Sequence, residues 1–197
     1  MSKTIECFFD FGSPATYLAW TQLPALAAKY NAKLVWRPML LGAVFKATGN
    51  QSPAMNPAKG RYMLMDFQRY AKSYGVPMTF NPFFPINTMT LMRGAVALLD
   101  DPRFNDYLRT VFTAIWVEEQ NMGQPDIVAS VLEKADFDAH TLLARCSEDA
   151  VKEKLKVNTE EAVARGAFGA PTIYVDGEMF FGQDRLPMIE SALQRTS

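Results

Sequence analysis

The turn Gly12-Ser13-Pro14 stands where an apolar, β-prone run from Thr4 to Phe11 gives way to helical spacing at Tyr17, Leu18, Leu23, Leu26 and Ala27. A serine followed by proline at the first helical position is an ordinary helix start, with the hydroxyl as N-cap. Taken alone, Ser13 needs no further role. The same turn also presents backbone N–H groups at the positive end of a helix dipole, where an anion such as a thiolate is stabilised. The four positions Ser13-Pro14-Ala15-Thr16 hold no cysteine, so the chain has no dithiol to exchange there. A sulfur at that spot has to come from a ligand.

Two later motifs bear on this turn. Gly169-Ala170-Pro171-Thr172 has the form of a cis-proline loop, which leaves the Ala170 N–H and C=O free to pair with a peptide-like ligand. In Gly182-Gln183-Asp184-Arg185, Asp184 reads equally as a helix cap and as a ligand contact, and a carboxylate has acceptor capacity for both. Asn50 and Lys59 frame a proline-rich loop whose plain reading is a turn with a solvated lysine. If that loop folds over the same cleft, they can meet the far carboxylate of a tripeptide.

Other chemistries lose support. The single histidine, His140, leaves no zinc cluster and no serine or cysteine triad. Cys7 and Cys146 lie far apart and read as buried or incidental thiols of a reduced, cytoplasmic protein. The 20 basic and 21 acidic residues leave a net charge of -1 without a basic block, which argues against a nucleic-acid partner. The chain lacks an apolar leader and a membrane-length apolar run, so it is expected to be neither secreted nor membrane-spanning.

The elements that must position these residues follow from the pattern. After the first strand and helix, in which Pro24 is expected to make a kink or a division, a second strand runs from Lys33 to Met39. From about Gly42 the chain turns to loop and then to helices over Tyr62 to Tyr74, Thr88 to Leu99, Phe104 to Glu118, Ile127 to Lys134 and Glu148 to Arg165. Thr172 to Val175, the turn Asp176-Gly177 and Glu178 to Phe181 read as a hairpin, followed by a helix from about Asp184. The order predicts an α/β fold, a thioredoxin-like domain over residues 1–41 and 167–197 with a large all-helical insertion over 42–166. Met55, Met63, Met65, Phe83, Phe84, Met89, Met92 and Trp116 are expected to be mostly core, a few near Pro77 to Pro85 walling a pocket.

Over essentially its whole length the chain resembles the 2-hydroxychromene-2-carboxylate isomerases and the kappa-class glutathione transferases. The resemblance is carried by FFDFGSPATYLA around Ser13, GNQSPAMNPAKGRYM from Gly49, FPINTMTLMRGA around Asn87 and FGAPTIYVDGEMFFGQDRL from Phe168. It implies a homodimer that binds glutathione between the two lobes and acts on a small aromatic substrate. By matched motif, Ser13 holds and activates the glutathione thiolate, and Asn50 and Lys59 contact the ligand from the loop. Ala170, before Pro171, is the backbone partner, and Gln183 and Asp184 meet the γ-glutamyl group. The implied activity is isomerisation of an aromatic breakdown intermediate, with a kappa-like transferase or peroxidase as the alternative. The paired arginines found beside the substrate in some isomerases are missing before Asn87, which leaves Lys46, Arg61 and Arg93 as candidates for a substrate carboxylate.

Overall fold

The computed structural model describes residues 2–195, so residues 1, 196 and 197 of the expected domain lie outside the described residues. β1 (Thr4–Phe9) and β2 (Lys33–Pro38) pair in parallel across α1 (Pro14–Lys29), and β3 (Thr172–Val175) and β4 (Glu178–Phe181) add antiparallel strands in the order β2-β1-β3-β4. β1 is therefore central. Its alternation assigns each side chain to a face: Ile5, Cys7 and Phe9 join Ile173 in the large core, while Glu6 and Phe8 face the other way. Each fully buried phenylalanine in that core contributes roughly 2 kcal/mol of burial free energy.

Between the two halves of the sheet run α2 (Leu41–Thr48), α3 (Pro57–Tyr74), α4 (Met89–Ala97), α5 (Phe104–Trp116), α6 (Pro125–Lys134), α7 (Ala139–Arg145) and α8 (Asp149–Ala164). α9 (Leu186–Gln194) closes the chain after β4. α8 packs on the second face of the sheet. There Glu6 pairs with Arg165 at 3.0 Å and with Arg37 at 3.3 Å, and Glu161 of α8 meets both arginines. The guanidinium of Arg165 lies 3.9 Å from the centroid of Tyr174, so charge and ring cover that face together.

Several expectations change in detail. α1 is unbroken although Pro24 lies inside it, so the division does not occur. α3 begins five residues before Tyr62, because Asn56 caps the N–H groups of Ala58 and Lys59 and Pro57 takes the first position. α2 and α7, two short helices, are additions to the pattern. Met55, Met65, Phe83 and Met89 are exposed rather than core, whereas Met92 and Trp116 are fully buried. Among the described residues no helix is long and apolar enough to cross a membrane.

Candidate functional site

The turn ahead of α1 is built by Asp10. Its carbonyl accepts the Ser13 N–H at 3.1 Å, and its carboxylate accepts from Gly12 N–H at 2.9 Å, Leu41 N–H at 2.8 Å and the Thr88 hydroxyl at 2.7 Å. One buried side chain thus ties the turn to the starts of α2 and α4. Burial pushes the Asp10 carboxyl above the usual range, against the downward pull of those three bonds. Asp10 is absent from the residues singled out above; its one mark in the sequence is an acid inside the apolar run Phe8-Phe9-Asp10-Phe11.

Ser13 is buried, 5% exposed, and its hydroxyl does two things. It accepts the Thr16 N–H at 3.2 Å as the cap of α1, and it donates to the Ala170 carbonyl at 2.8 Å across the cleft. The Ala170-Pro171 bond is cis. Pro14 has no N–H and Thr16 is capped, so Ala15 keeps the first helix N–H without a partner among the described residues. The Ala170 N–H is likewise unpartnered among the described residues.

These groups open on one cavity of about 570 Å³ whose wall includes Ser13, Ala15, Asn50, Ala170, Gln183 and Asp184. The Asn50 amide donates to the Phe168 carbonyl at 2.8 Å and so fastens the loop before α3 to the segment that leads into β3. Gln183 is buried, and Asp184 is half-buried with one oxygen on Arg185 at 2.6 Å. Gly182 has φ +93, and a Cβ there would meet Asp184 Oδ1 at 2.6 Å, so the glycine makes room for the carboxylate. Pro171 stands outside the wall, behind Ala170, and so does Lys59, an exposed residue on a neighbouring depression with Tyr62 and Met63.

Six phenylalanines, Phe45, Phe67, Phe80, Phe84, Phe168 and Phe181, share the rest of the wall with aliphatic residues such as Leu41, Met63 and Leu64 and with the polar Gln51 and Ser52. Phe168 and Phe181 lie 4.5 Å apart by centroid, and Phe80 and Phe84 5.2 Å. The charged residues of the wall are Asp66 and Asp184, and no cation lines it among the described residues. None of the three cations considered for a substrate carboxylate is there. Lys46 and Arg61 are exposed elsewhere, and Arg93 leaves its Nε buried without a partner inside the helical lobe, where its charge acts on Cys146.

A small thiol peptide fits this donor set. The wall brings together the Ser13 hydroxyl and the Ala15 N–H at the start of α1, the unpartnered Ala170 N–H of the cis-proline loop and the carboxylate of Asp184, a set able to meet a thiolate, a peptide carbonyl and an ammonium. The model of the DSBA-like thioredoxin domain matches residues 4–194. The chain is 32% identical to the 2-hydroxychromene-2-carboxylate isomerase of Pseudomonas putida over 97% of this chain and 94% of that protein. It is 33% identical to glutathione S-transferase kappa 1 of Rattus norvegicus over 95% and 89% of the two chains. Among solved structures, a 2-hydroxychromene-2-carboxylate isomerase superposes with a TM-score of 0.87 at 32% identity, over 96% of this chain and 94% of that one.

Proposed function

The chain belongs to the DSBA-like thioredoxin domain family, and from that premise we propose that it is a glutathione-dependent isomerase acting on an aromatic breakdown intermediate of the 2-hydroxychromene-2-carboxylate type. The observation that carries this is the Ser13 hydroxyl, set at the helix start against the Ala170 carbonyl in a cavity that also holds Gln183 and Asp184. The similarity to the Pseudomonas putida isomerase and to kappa transferases supports both the enzyme class and the cofactor.

Bound glutathione supplies a thiolate able to add reversibly to a conjugated carbonyl compound, so that a former double bond can rotate before the thiol leaves. Ser13 lends its O–H to the sulfur by turning it away from the Ala170 carbonyl, while its oxygen goes on capping Thr16. The Ala15 N–H and the helix dipole add to that donor, and such an environment lowers a thiol from about 8.5 towards neutrality. Ala170 pairs with the peptide backbone, and Asp184 with the γ-glutamyl ammonium. The phenylalanine walls hold a planar ring and keep water from it.

The absence of a cation from this wall among the described residues favours a second reading, a kappa-like transferase that takes an uncharged electrophile or a peroxide. Spectrophotometric conversion of 2-hydroxychromene-2-carboxylate, with and without glutathione, decides between them: glutathione-dependent conversion without net thiol consumption supports the isomerase. Consumption of glutathione with a chlorinated nitroarene, and no conversion of the chromene, supports the transferase. The reading extends to a homodimer in the cytoplasm; analytical ultracentrifugation checks the dimer, and cell fractionation the compartment.

A further inference from the structure

The strand order leaves β2 at an edge of the sheet. Lys33 N–H donates to the Lys3 carbonyl at 2.8 Å and Met39 N–H to the Phe9 carbonyl at 3.0 Å, so the odd-numbered residues of β2 turn towards β1. Leu34, Trp36 and Pro38 therefore turn outward. α8 closes the far half of this edge, with Asn158 Nδ2 donating to the Pro38 carbonyl at 3.2 Å and Thr159 Oγ1 accepting the Leu40 N–H at 3.0 Å. The near half stays open: among the described residues, the outward N–H and C=O groups of Leu34 and Trp36 have no partner outside the ladder.

Those groups lie on a groove of about 1240 Å³ bounded by α1, α5 and α8, separate from the Ser13 cavity. Asn158, fully buried, lines the same groove with its Oδ1 unpartnered. Two neighbouring outward-facing residues with unpaired N–H and C=O groups leave this edge short of hydrogen-bond partners in strand geometry. Trp20 and Leu34, both half-buried, supply apolar surface, and Lys33 and Lys154 stand exposed on the groove with no ion-pair partner among the described residues, against a single exposed acid there, Asp100.

We propose that this groove takes an extended acidic segment of a partner protein, which adds as a strand to Leu34 and Trp36. Charge selects the occupant. Pairing β2 with β2 of a second copy, antiparallel about Val35, would set Lys33 opposite Arg37, a like-charge contact that Glu6 and Glu161 offset only in part. Acidic side chains instead meet Lys33 and Lys154.

The test titrates the full chain with a capped hexapeptide of alternating glutamate and valine and follows backbone amides by heteronuclear NMR. Saturable shifts centred on Leu34 and Trp36 are expected, with about tenfold weaker binding of the lysine–valine counterpart. N-methylation of the peptide at alternate residues should abolish binding in one parity and spare it in the other, because a strand presents alternate N–H groups to its neighbour. The Lys33→Glu, Lys154→Glu double variant should keep its glutathione-dependent activity and reverse the preference between the two peptides. Shifts elsewhere, equal loss in both parities, or concentration-dependent self-association through the same amides would each overturn the proposal.

Discussion

The Ser13 hydroxyl donates to the Ala170 carbonyl at 2.8 Å, bridging 157 residues of sequence between the start of α1 and the cis-proline loop. A hydroxyl has one proton. A thiolate set beside Ser13 competes with that carbonyl for it and wins on charge, since charge-assisted bonds are roughly twice as strong as neutral ones.

Ser13→Ala should therefore lower kcat/KM about a hundredfold, in the range known for losing one donor to a developing anion, and raise the apparent pKa of bound glutathione read from thiolate absorbance. The lost cap of α1 should cost about 1 kcal/mol in denaturant unfolding. Activity unchanged within error would reduce Ser13 to a cap and sink its assignment as the activating hydroxyl.

Asp184 should act on binding rather than on chemistry. Asp184→Asn keeps the shape but drops the charge offered to an ammonium, and KM for glutathione should rise about tenfold with kcat held. Gly182→Ala offers an independent check, because its Cβ would meet Asp184 Oδ1 at 2.6 Å from a backbone at φ +93. It should displace the carboxylate and raise KM likewise, at a cost of about 1–3 kcal/mol in stability, because φ +93 with ψ 160 is backbone that essentially only glycine adopts. A fall in kcat alone in either variant would contradict this role.

The strand–turn–helix around Ser13 and the hairpin after Pro171 were legible because their signals are local: alternation, a cap with its proline, an Asp-Gly turn. α2 was not, since Leu41–Thr48 is two turns long with no side-chain cap bond and its end is marked by Gly49 in the left-handed region alone. The cavity wall was legible only in part. Phe84 stands near the expected prolines, but Phe45 of α2, Phe168 of the segment before β3 and Phe181 of β4 are brought together only by tertiary packing. The loop motif alone does not place Lys59, which lies in the first turn of α3 with its exposed side chain on a depression next to the Ser13 cavity.

Asn50 holds the loop ahead of α3 to the Phe168 carbonyl at 2.8 Å, yet it is exposed. Asn50→Ala should accordingly change global stability by less than about 1 kcal/mol while weakening glutathione binding several-fold in calorimetric titration, about 1 kcal/mol by the same measure. The loss should be mostly entropic, as a loosened loop must be ordered on binding. Equal affinity in the variant would remove this bond from the account of the site.

Asp10 gives the pH dependence its sign. Its carboxyl is raised in the folded protein by burial, so the folded state holds that proton more tightly than the unfolded chain. Below the unfolded carboxyl range, about pH 4, both states are protonated and no penalty arises. As pH rises from there through the raised value, ionising Asp10 in its buried position subtracts stability. Asp10→Asn removes this loss, so its unfolding free energy measured against pH should fall less steeply than that of the parent over the same window. The variant also turns an NH2 towards the Leu41 N–H, Thr88 hydroxyl or Gly12 N–H, all of which need an acceptor, and should lie about 1–3 kcal/mol below the parent at acid pH. Because those three bonds join the Ser13 turn to α2 and α4, kcat should drop along with stability, whereas Glu6→Gln, on the far face of the sheet, should leave kcat intact. Parallel pH curves for parent and Asp10→Asn would show that the buried carboxyl titrates at its ordinary value.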